Sequence, residues 1–362
     1  MHHHADGRRR TTGLLGVALL IATAGAVPAG LDTAAAARAV VRCAAAAPGS
    51  VNNDGYADVA VGEPGNAQGR GAVHVFHGHP RSGLAVDPSG SAPNDVYLTQ
   101  STPGVPGAAE PGDAFGSSTL LADLNGDRCA DLVVGSPGEN DGTGWIQVFF
   151  GSASGVRVSG SQSVTLSAIP GAPRSAPGQG LGESLAAGDV DGDGIDDLIA
   201  GAAGVTVGGQ ESAGGVAVVY GGSTGLQLRR SVLLTRDTPG VPGASEAYAG
   251  FGAAVASGDF DGNGRTEIVV GASFGLSGGS VQVLRRSGSG FTGRDPIGPD
   301  SPEMPADPEQ YCSFGSVLAT GDGSTVTDAT RWPRPTPRTG VARRTPNCAG
   351  ERSWCCLDRR TG

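Results

Sequence analysis

Lysine is missing from this 362-residue chain, and all 25 of its basic residues are arginine. Aromatic residues make up only 5% of it, few for a densely packed core. The net charge is −10, so the basic face that nucleic acid demands is lacking, and nucleic acid is excluded as a partner. Paired Cys-x-x-Cys metal ligands are missing as well. The longest apolar stretch, Leu14 to Val27, is broken by Gly and Thr and falls short of the ~20 residues a membrane span needs. Behind Arg8, Arg9 and Arg10, and ahead of the small residues Ala34–Ala37, it reads instead as an export signal over residues 1–38. Once that signal is removed, no membrane span is expected.

Turn chemistry is abundant. The chain has 63 Gly and 24 Pro, which favours many short strands over helices. Six cysteines, Cys43, Cys129, Cys312, Cys348, Cys355 and Cys356, are compatible with disulfides in an exported protein, in pairings that spacing alone does not fix. Charge is uneven. Residues 331–362 hold eight Arg against Glu351 and Asp358, so the acidic charge belongs to the rest of the chain. That tail has no repeat and no strand or helix period, so residues 326–362 are read as an atypical, disordered segment or the product of a shifted reading frame near Gly323.

Between signal and tail, over residues 39–325, one pattern recurs. Its second copy has Phe115-Gly116, an acidic loop Asp123-Leu-Asn125-Gly-Asp127-Arg-Cys-Ala-Asp131, then Leu132-Val-Val-Gly135. The third has Leu181-Gly182, a loop with Asp189, Asp191, Asp193 and Asp197, then Leu198-Ile-Ala-Gly201. The fourth has Phe251-Gly252, a loop with Asp259, Asp261, Asn263 and Glu267, then Ile268-Val-Val-Gly271. The first lacks its front half but keeps Asn52, Asp54 and Asp58, and the fifth stops after Phe314-Gly315 and Asp322. Loops open at positions 50, 123, 189, 259 and 322, a near-regular period of 63 to 73 residues. Each full copy continues with an alternating apolar strand such as Gly144-Trp-Ile-Gln-Val-Phe149, and Pro-rich links such as Thr102-Pro-Gly-Val-Pro-Gly107 separate copies as loops.

The loops place side-chain oxygens at positions 1, 3, 5 and 9, with a main-chain carbonyl at position 7. Ca²⁺ takes six to eight oxygens of this kind. The expected ligands are Asn52, Asp54 and Asp58; Asp123, Asn125, Asp127 and Asp131; Asp189, Asp191, Asp193 and Asp197; and Asp259, Asp261, Asn263 and Glu267. An apolar strand follows position 9 at once, which separates these loops from helix-flanked calcium loops with an acid at position 12. His74, His77 and His79 form a possible transition-metal group; without a fourth ligand they are read as solvent-facing strand-end residues.

Phe-Gly, the acidic loop and a Gly-Ala or Gly-Ser-Pro step (Gly135-Ser-Pro137, Gly201-Ala-Ala203, Gly271-Ala-Ser273) resemble the FG-GAP repeats of integrin α chains and bacterial secreted proteins. The resemblance covers about residues 50–322. It implies an all-β fold of β-propeller blades, each of four antiparallel strands. The family is known for seven-bladed rings, and this chain encodes four to five blades. It implies a secreted, extracellular calcium-binding module for adhesion to a protein or glycan ligand. No catalytic residue is assigned, so the chain is read as a non-enzyme. The alternative is the propeller or accessory domain of a secreted hydrolase, since similar repeats accompany phospholipases and polysaccharide-active proteins.

Overall fold

A computed structural model describes residue 43 and residues 47–80, 83–84, 96–274, 278–302, 304 and 313–320. The segments read as signal and tail lie outside the described residues. The strands are β1 (Val59–Gly62), β2 (Val73–Phe76), β3 (Gly78–His79), β4 (Gly83–Leu84), β5 (Val96–Leu98), β6 (Ser118–Ala122), β7 (Asp131–Ser136), β8 (Trp145–Phe149) and β9 (Gln162–Val164). They continue as β10 (Leu185–Gly188), β11 (Asp197–Ala202), β12 (Gly215–Val219), β13 (Val232–Leu234), β14 (Phe251–Gly258), β15 (Glu267–Ala272), β16 (Ser280–Ser287) and β17 (Gly290–Gly293). Three sheets have four strands in sequence order, β6-β7-β8-β9, β10-β11-β12-β13 and β14-β15-β16-β17. All their pairings are antiparallel, so each repeat is one meandering blade of the expected kind. The first copy, which lacks its front half in sequence, forms a three-stranded sheet, β1-β2-β5, with β3 and β4 as a small hairpin beside it.

The apolar run that follows each acidic loop becomes the second strand of its blade, and β7 and β11 are buried along their whole length. Alternate side chains then serve opposite neighbours. Leu132 and Val134 of β7 pack with Val73 and Val75 of the first unit and with Phe115 of the step onto it. Val133 packs with Leu198, Ala200, Ala217 and Val219 of the third blade. In turn Ile199, Val216 and Val218 face Val255, Ile268 and Val270 of the fourth. A period-two strand that is apolar on both faces is what a blade between two blades requires. Each fully buried Val or Leu contributes about 1.5–3 kcal/mol relative to exposure.

The Phe-Gly step stitches neighbouring copies together. Phe115, Leu181, Phe251 and Phe314 pair in parallel bridges with Gly71, Gly144, Gly214 and Gly279 of the preceding copy. The fifth copy therefore begins where the sequence places it, docked on the fourth blade. The Pro-rich links Thr102–Gly107 and Thr238–Gly243 form turns without strand pairing, as proline's missing donor dictates.

Candidate metal centres

In the three four-stranded blades the acidic loop joins the first strand to the second, in the first copy it leads into β1, and its short side chains shape it by bonding to its own backbone. In the third loop Asp189 Oδ1 accepts from Gly192 N (2.6 Å) and Asp193 N (3.0 Å), and Oδ2 accepts from Gly194 N (2.9 Å). The fourth repeats this, Asp259 accepting from Gly262 N (2.8 Å), Asn263 N (3.0 Å) and Gly264 N (2.8 Å). Position 5 caps position 7 in every loop: Asp54 to Tyr56 N (2.9 Å), Asp127 to Cys129 N (2.9 Å), Asp193 to Ile195 N (3.0 Å) and Asn263 to Arg265 N (2.8 Å). These are turns of the kind short acidic and amide side chains favour. Gly192 and Gly194, at φ of 81° and 84°, let the chain wrap.

Position 9 has a second role that its spacing does not disclose. Asp197 is fully buried; its Oδ2 accepts from Val190 N (2.9 Å) and its Oδ1 from Gly221 N (2.9 Å). Asp131 does the same with Leu124 N and Gly151 N, both at 2.9 Å, and Asp58 with Val51 N (2.8 Å) and Gly78 N (2.7 Å). Glu267 accepts from Phe260 N at 2.8 Å. One carboxylate thus ties the start of its loop to the end of the third strand. Burial pushes the Asp131 carboxyl up to about 8, the charges of Asp127 and Asp123 adding to it. Burial pushes Asp197 up to about 7, with Asp191 adding its charge. No ion pair reaches either group among the described residues.

Two loops bring three acidic oxygens within 4.8 Å of one another: Asp189, Asp191 and Asp197 in the third, and Asp259, Asp261 and Glu267 in the fourth. Asp193 and Asn263 belong to the same loops but point to the N–H groups named above. In the second loop no such trio forms among the described residues. There Asp123 accepts from Asp127 N (3.1 Å) and Arg128 N (2.7 Å), and Asn125 from Asp127 N (2.9 Å). The first loop has no trio either; Asn52 accepts from Asp54 N (3.1 Å) and donates to Asp54 Oδ2 (2.9 Å). In the third loop Asp191 Oδ1 is buried with no hydrogen-bond partner. An orphaned carboxylate oxygen among all-oxygen donors fits a hard divalent cation.

Two arginines from distant segments also reach these loops. Arg230 Nη2 lies 2.7 Å from Asp191 Oδ2, and Arg285 Nη1 lies 3.8 Å from Asp261 Oδ2. The histidine reading needs correction at one residue. His77 is buried, its Nδ1 3.4 Å from Asp58 Oδ1 and 3.1 Å from Asn52 Nδ2, because it packs under the first loop, while His79 is exposed. A disulfide joins Cys43 to Cys129, position 7 of the second loop. Ser273 stands in a Gly-x-Ser-x-Gly sequence, Gly271 to Gly275, that the sequence reading passed over. Its hydroxyl is buried just past the end of β15 with no hydrogen-bond partner, whereas a nucleophile of that motif stands exposed beside a base.

Antiparallel blades, each with an acidic loop between first and second strands and a Phe-Gly or Leu-Gly step onto the blade before, define an acidic-loop type of β-propeller repeat. Residues 44–76, 115–147, 181–219 and 251–284 match the FG-GAP repeat, and these units are FG-GAP repeats. The chain is 34% identical over 161 residues to phosphatidylinositol-glycan-specific phospholipase D of Rattus norvegicus, covering 42% of this chain and 17% of that protein. With the Homo sapiens protein of the same name it shares 32% over 176 residues, 48% of this chain and 20% of the relative. Integrin alpha-X of Mus musculus is 40% identical over 91 residues, 25% of this chain and 7% of the integrin. This chain therefore spans a fifth or less of the length of these relatives. Among the described residues no helix is long and apolar enough to cross a membrane.

Proposed function

We propose that this chain is a secreted, extracellular, calcium-stabilised FG-GAP propeller that acts by binding a protein or glycan ligand and has no catalytic role of its own. The observation that carries the calcium reading is the convergence of Asp189, Asp191 and Asp197, with the Asp191 oxygen left unpartnered. Asp193 and the Ile195 carbonyl complete that oxygen set. Asp259, Asp261, Asn263 and Glu267 form the second set, Asp123, Asn125, Asp127 and Asp131 the third, and Asn52, Asp54 and Asp58 the weakest, with fewest carboxylates. The cation supplies positive charge beyond the single arginine that reaches each of the third and fourth loops. Disulfide formation and likeness to integrin alpha chains support the extracellular assignment.

Likeness to phosphatidylinositol-glycan-specific phospholipase D favours a second reading, in which these blades are the accessory propeller of a secreted hydrolase. Calorimetric titration with Ca²⁺ and thermal melts with and without EDTA test the calcium reading. At tenfold excess over the dissociation constant each site adds about 1.4 kcal/mol, so chelation should lower the melting temperature by several degrees. Identical melts would refute it. A screen against phosphoesters and polysaccharides separates the two readings, since turnover abolished by one substitution outside the loops would favour the hydrolase.

A further inference from the structure

The fourth copy departs from its neighbours at two paired positions. Three residues before the Leu-Gly or Phe-Gly step, copies three and two carry Gly178 and Gly112. Three residues after the glycine that ends the second apolar run, they carry Gly204 and Gly138. A Cβ on Gly204 would lie 1.8 Å from the Gly178 carbonyl oxygen, and one on Gly138 1.8 Å from that of Gly112. In the fourth copy these positions are Tyr248 and Phe274, and the hydrogen bond that joins the two segments is kept. Phe274 N donates to Ala249 O at 3.2 Å, as Gly138 N does to Asp113 O (3.2 Å) and Gly204 N to Gln179 O (3.1 Å). Both rings face solvent, 61% and 60% exposed. Tyr248 holds φ of 61°, a region that bulky residues avoid, where Gly112 and Gly178 have 95° and 77°. Its hydroxyl donates to Glu211 at 2.6 Å. A strained backbone that displays an aromatic ring points to use of that ring.

Between the two rings runs a groove of about 390 Å³ floored by Ala203, Gly204, Ser212 and Gly250. Phe274 is also a wall of a second cavity, of about 420 Å³, lined by Arg236, Glu246, Ser280, Asp300 and Ser301 among others. Arg236 is only 9% exposed. Its Nη2 donates to Ser280 Oγ at 2.5 Å, its face lies 5.6 Å from the Phe251 ring centre, and its Nε is buried without a partner. Among the described residues no carboxylate lies within 4 Å of it, and Glu246 acts on it only through space, from across the cavity. The equivalent residue ahead of the second copy shows what is missing. Gln100, like Arg236, follows Leu-Thr and precedes the Pro-Gly-Val-Pro-Gly link, and it donates to Glu139 at 2.6 Å. Glu139 directly follows Gly138, whereas the residue directly after Phe274 is Gly275, which has no carboxylate. A buried guanidinium calls for a directly bonded anion, and among the described residues none is in contact with it.

We propose that the fourth blade binds an anionic saccharide, its sugar carboxylate meeting Arg236 and its chain of rings crossing Phe274 towards Tyr248. This rests on the reading of the chain as an extracellular binding module and names the ligand class. A hexuronate unit matches the lining in three ways. Its carboxylate suits the guanidinium fork. Its hydroxyls suit Glu246, Asp300, Ser280 and Ser301. The polarised C–H bonds on one ring face suit the electron-rich faces of Phe274 and Tyr248. An acidic peptide offers anions but few hydroxyl donors for Glu246 and Asp300.

The test is calorimetric titration of the full chain, in calcium, with oligogalacturonate, with a neutral malto-oligosaccharide of equal length and with an acidic peptide. Binding of oligogalacturonate alone is expected. Arg236→Gln, which restores the residue type of Gln100, should lower its affinity about tenfold or more. Phe274→Gly and Tyr248→Gly should each weaken it severalfold, and Tyr248→Gly should melt no lower than the parent because it relieves strain. Absent binding, equal binding of the neutral sugar, tighter binding of the peptide or an unchanged Arg236→Gln variant would each overturn the site. A chain that melts lower in EDTA and binds no oligosaccharide would refute this site while leaving the calcium reading intact.

Discussion

Gly201 and Gly252 are pressed together so closely that a Cβ on Gly201 would sit 1.9 Å from the Gly252 carbonyl oxygen. The contact recurs between Gly62 and Gly116 (1.8 Å), Gly135 and Gly182 (2.1 Å), and Gly271 and Gly315 (1.9 Å). Each pair joins the glycine that ends one copy's second apolar run to the glycine of the next copy's Phe-Gly or Leu-Gly step. The Ser184 hydroxyl also donates to the Gly252 carbonyl at 2.9 Å. The two glycines that define the repeat are therefore one seam between blades. Gly201→Ala should destabilise the chain by about 1–3 kcal/mol through overpacking against rigid backbone. Gly65→Ala is the control, since nothing lies within 4 Å of its added Cβ, and should stay within about 0.5 kcal/mol. Denaturant melts of both decide the matter, and equal stabilities would mean that the seam tolerates a side chain.

The disulfide between Cys43 and Cys129 closes a loop across a sequence separation of 86 residues, which encloses the incomplete first copy. Cys43 N also donates to Asp127 O at 2.8 Å, so the strap lies directly on the second loop. Loop-closure entropy at this length corresponds to about 4.6 kcal/mol. Cys43→Ser, or reduction by dithiothreitol, should lower stability by up to that amount and weaken calcium binding at the second loop more than at the third. Calorimetry on oxidised and reduced protein checks both. A reduced chain with unchanged melting would show that the strap does not brace this unit.

Two carboxylates of the third loop should separate metal binding from folding. Asp191 Oδ1 has no partner, so Asp191→Asn should leave the melt in EDTA nearly unchanged while removing much of the calcium-induced rise. Asp197 holds Val190 N and Gly221 N, so Asp197→Ala strands two buried donors and should destabilise by about 1–3 kcal/mol per donor even in EDTA. Melts of both variants with and without calcium make the comparison. Equal losses in EDTA would erase the distinction.

The period of the repeat and the blade strands were legible because they are local: Leu132-Val-Val and Ile268-Val-Val carry their β-character in consecutive residues. So was the spacing of loop oxygens, which shows which residues can meet. What spacing does not show is how side chains share the backbone donors. Asp197 and Asp131 look like their loop neighbours in sequence, yet each also pins a strand end 20 or more residues away. Long-range partners were invisible for the same reason. Nothing near Cys129 in the chain points to Cys43, and His77 is polar but buried because Asp58 and Asn52 lie over it. The Tyr248 and Phe274 pair was within reach of sequence, since aligning the copies sets each against glycine, but the contact that gives the change meaning exists only in three dimensions.

Arg230 illustrates this last point and leads to a test. It lies 39 residues from Asp191, stacks 4.9 Å from the Tyr220 ring centre and donates to Asp191 Oδ2 at 2.7 Å. Its side chain is 46% exposed against 7% for that of Asp191, so water screens the pair and its worth is small, below about 1 kcal/mol. A cation entering the third loop must share Asp191 with this guanidinium. Removing the competing positive charge should therefore tighten binding, and Arg230→Gln should raise calcium affinity at this loop by up to about fivefold. The effect should shrink as salt rises, because the competition is electrostatic. Titration at low and high ionic strength reads both trends. If the substitution weakened binding instead, Arg230 would be holding Asp191 in place for the metal, and its contact would be support rather than competition.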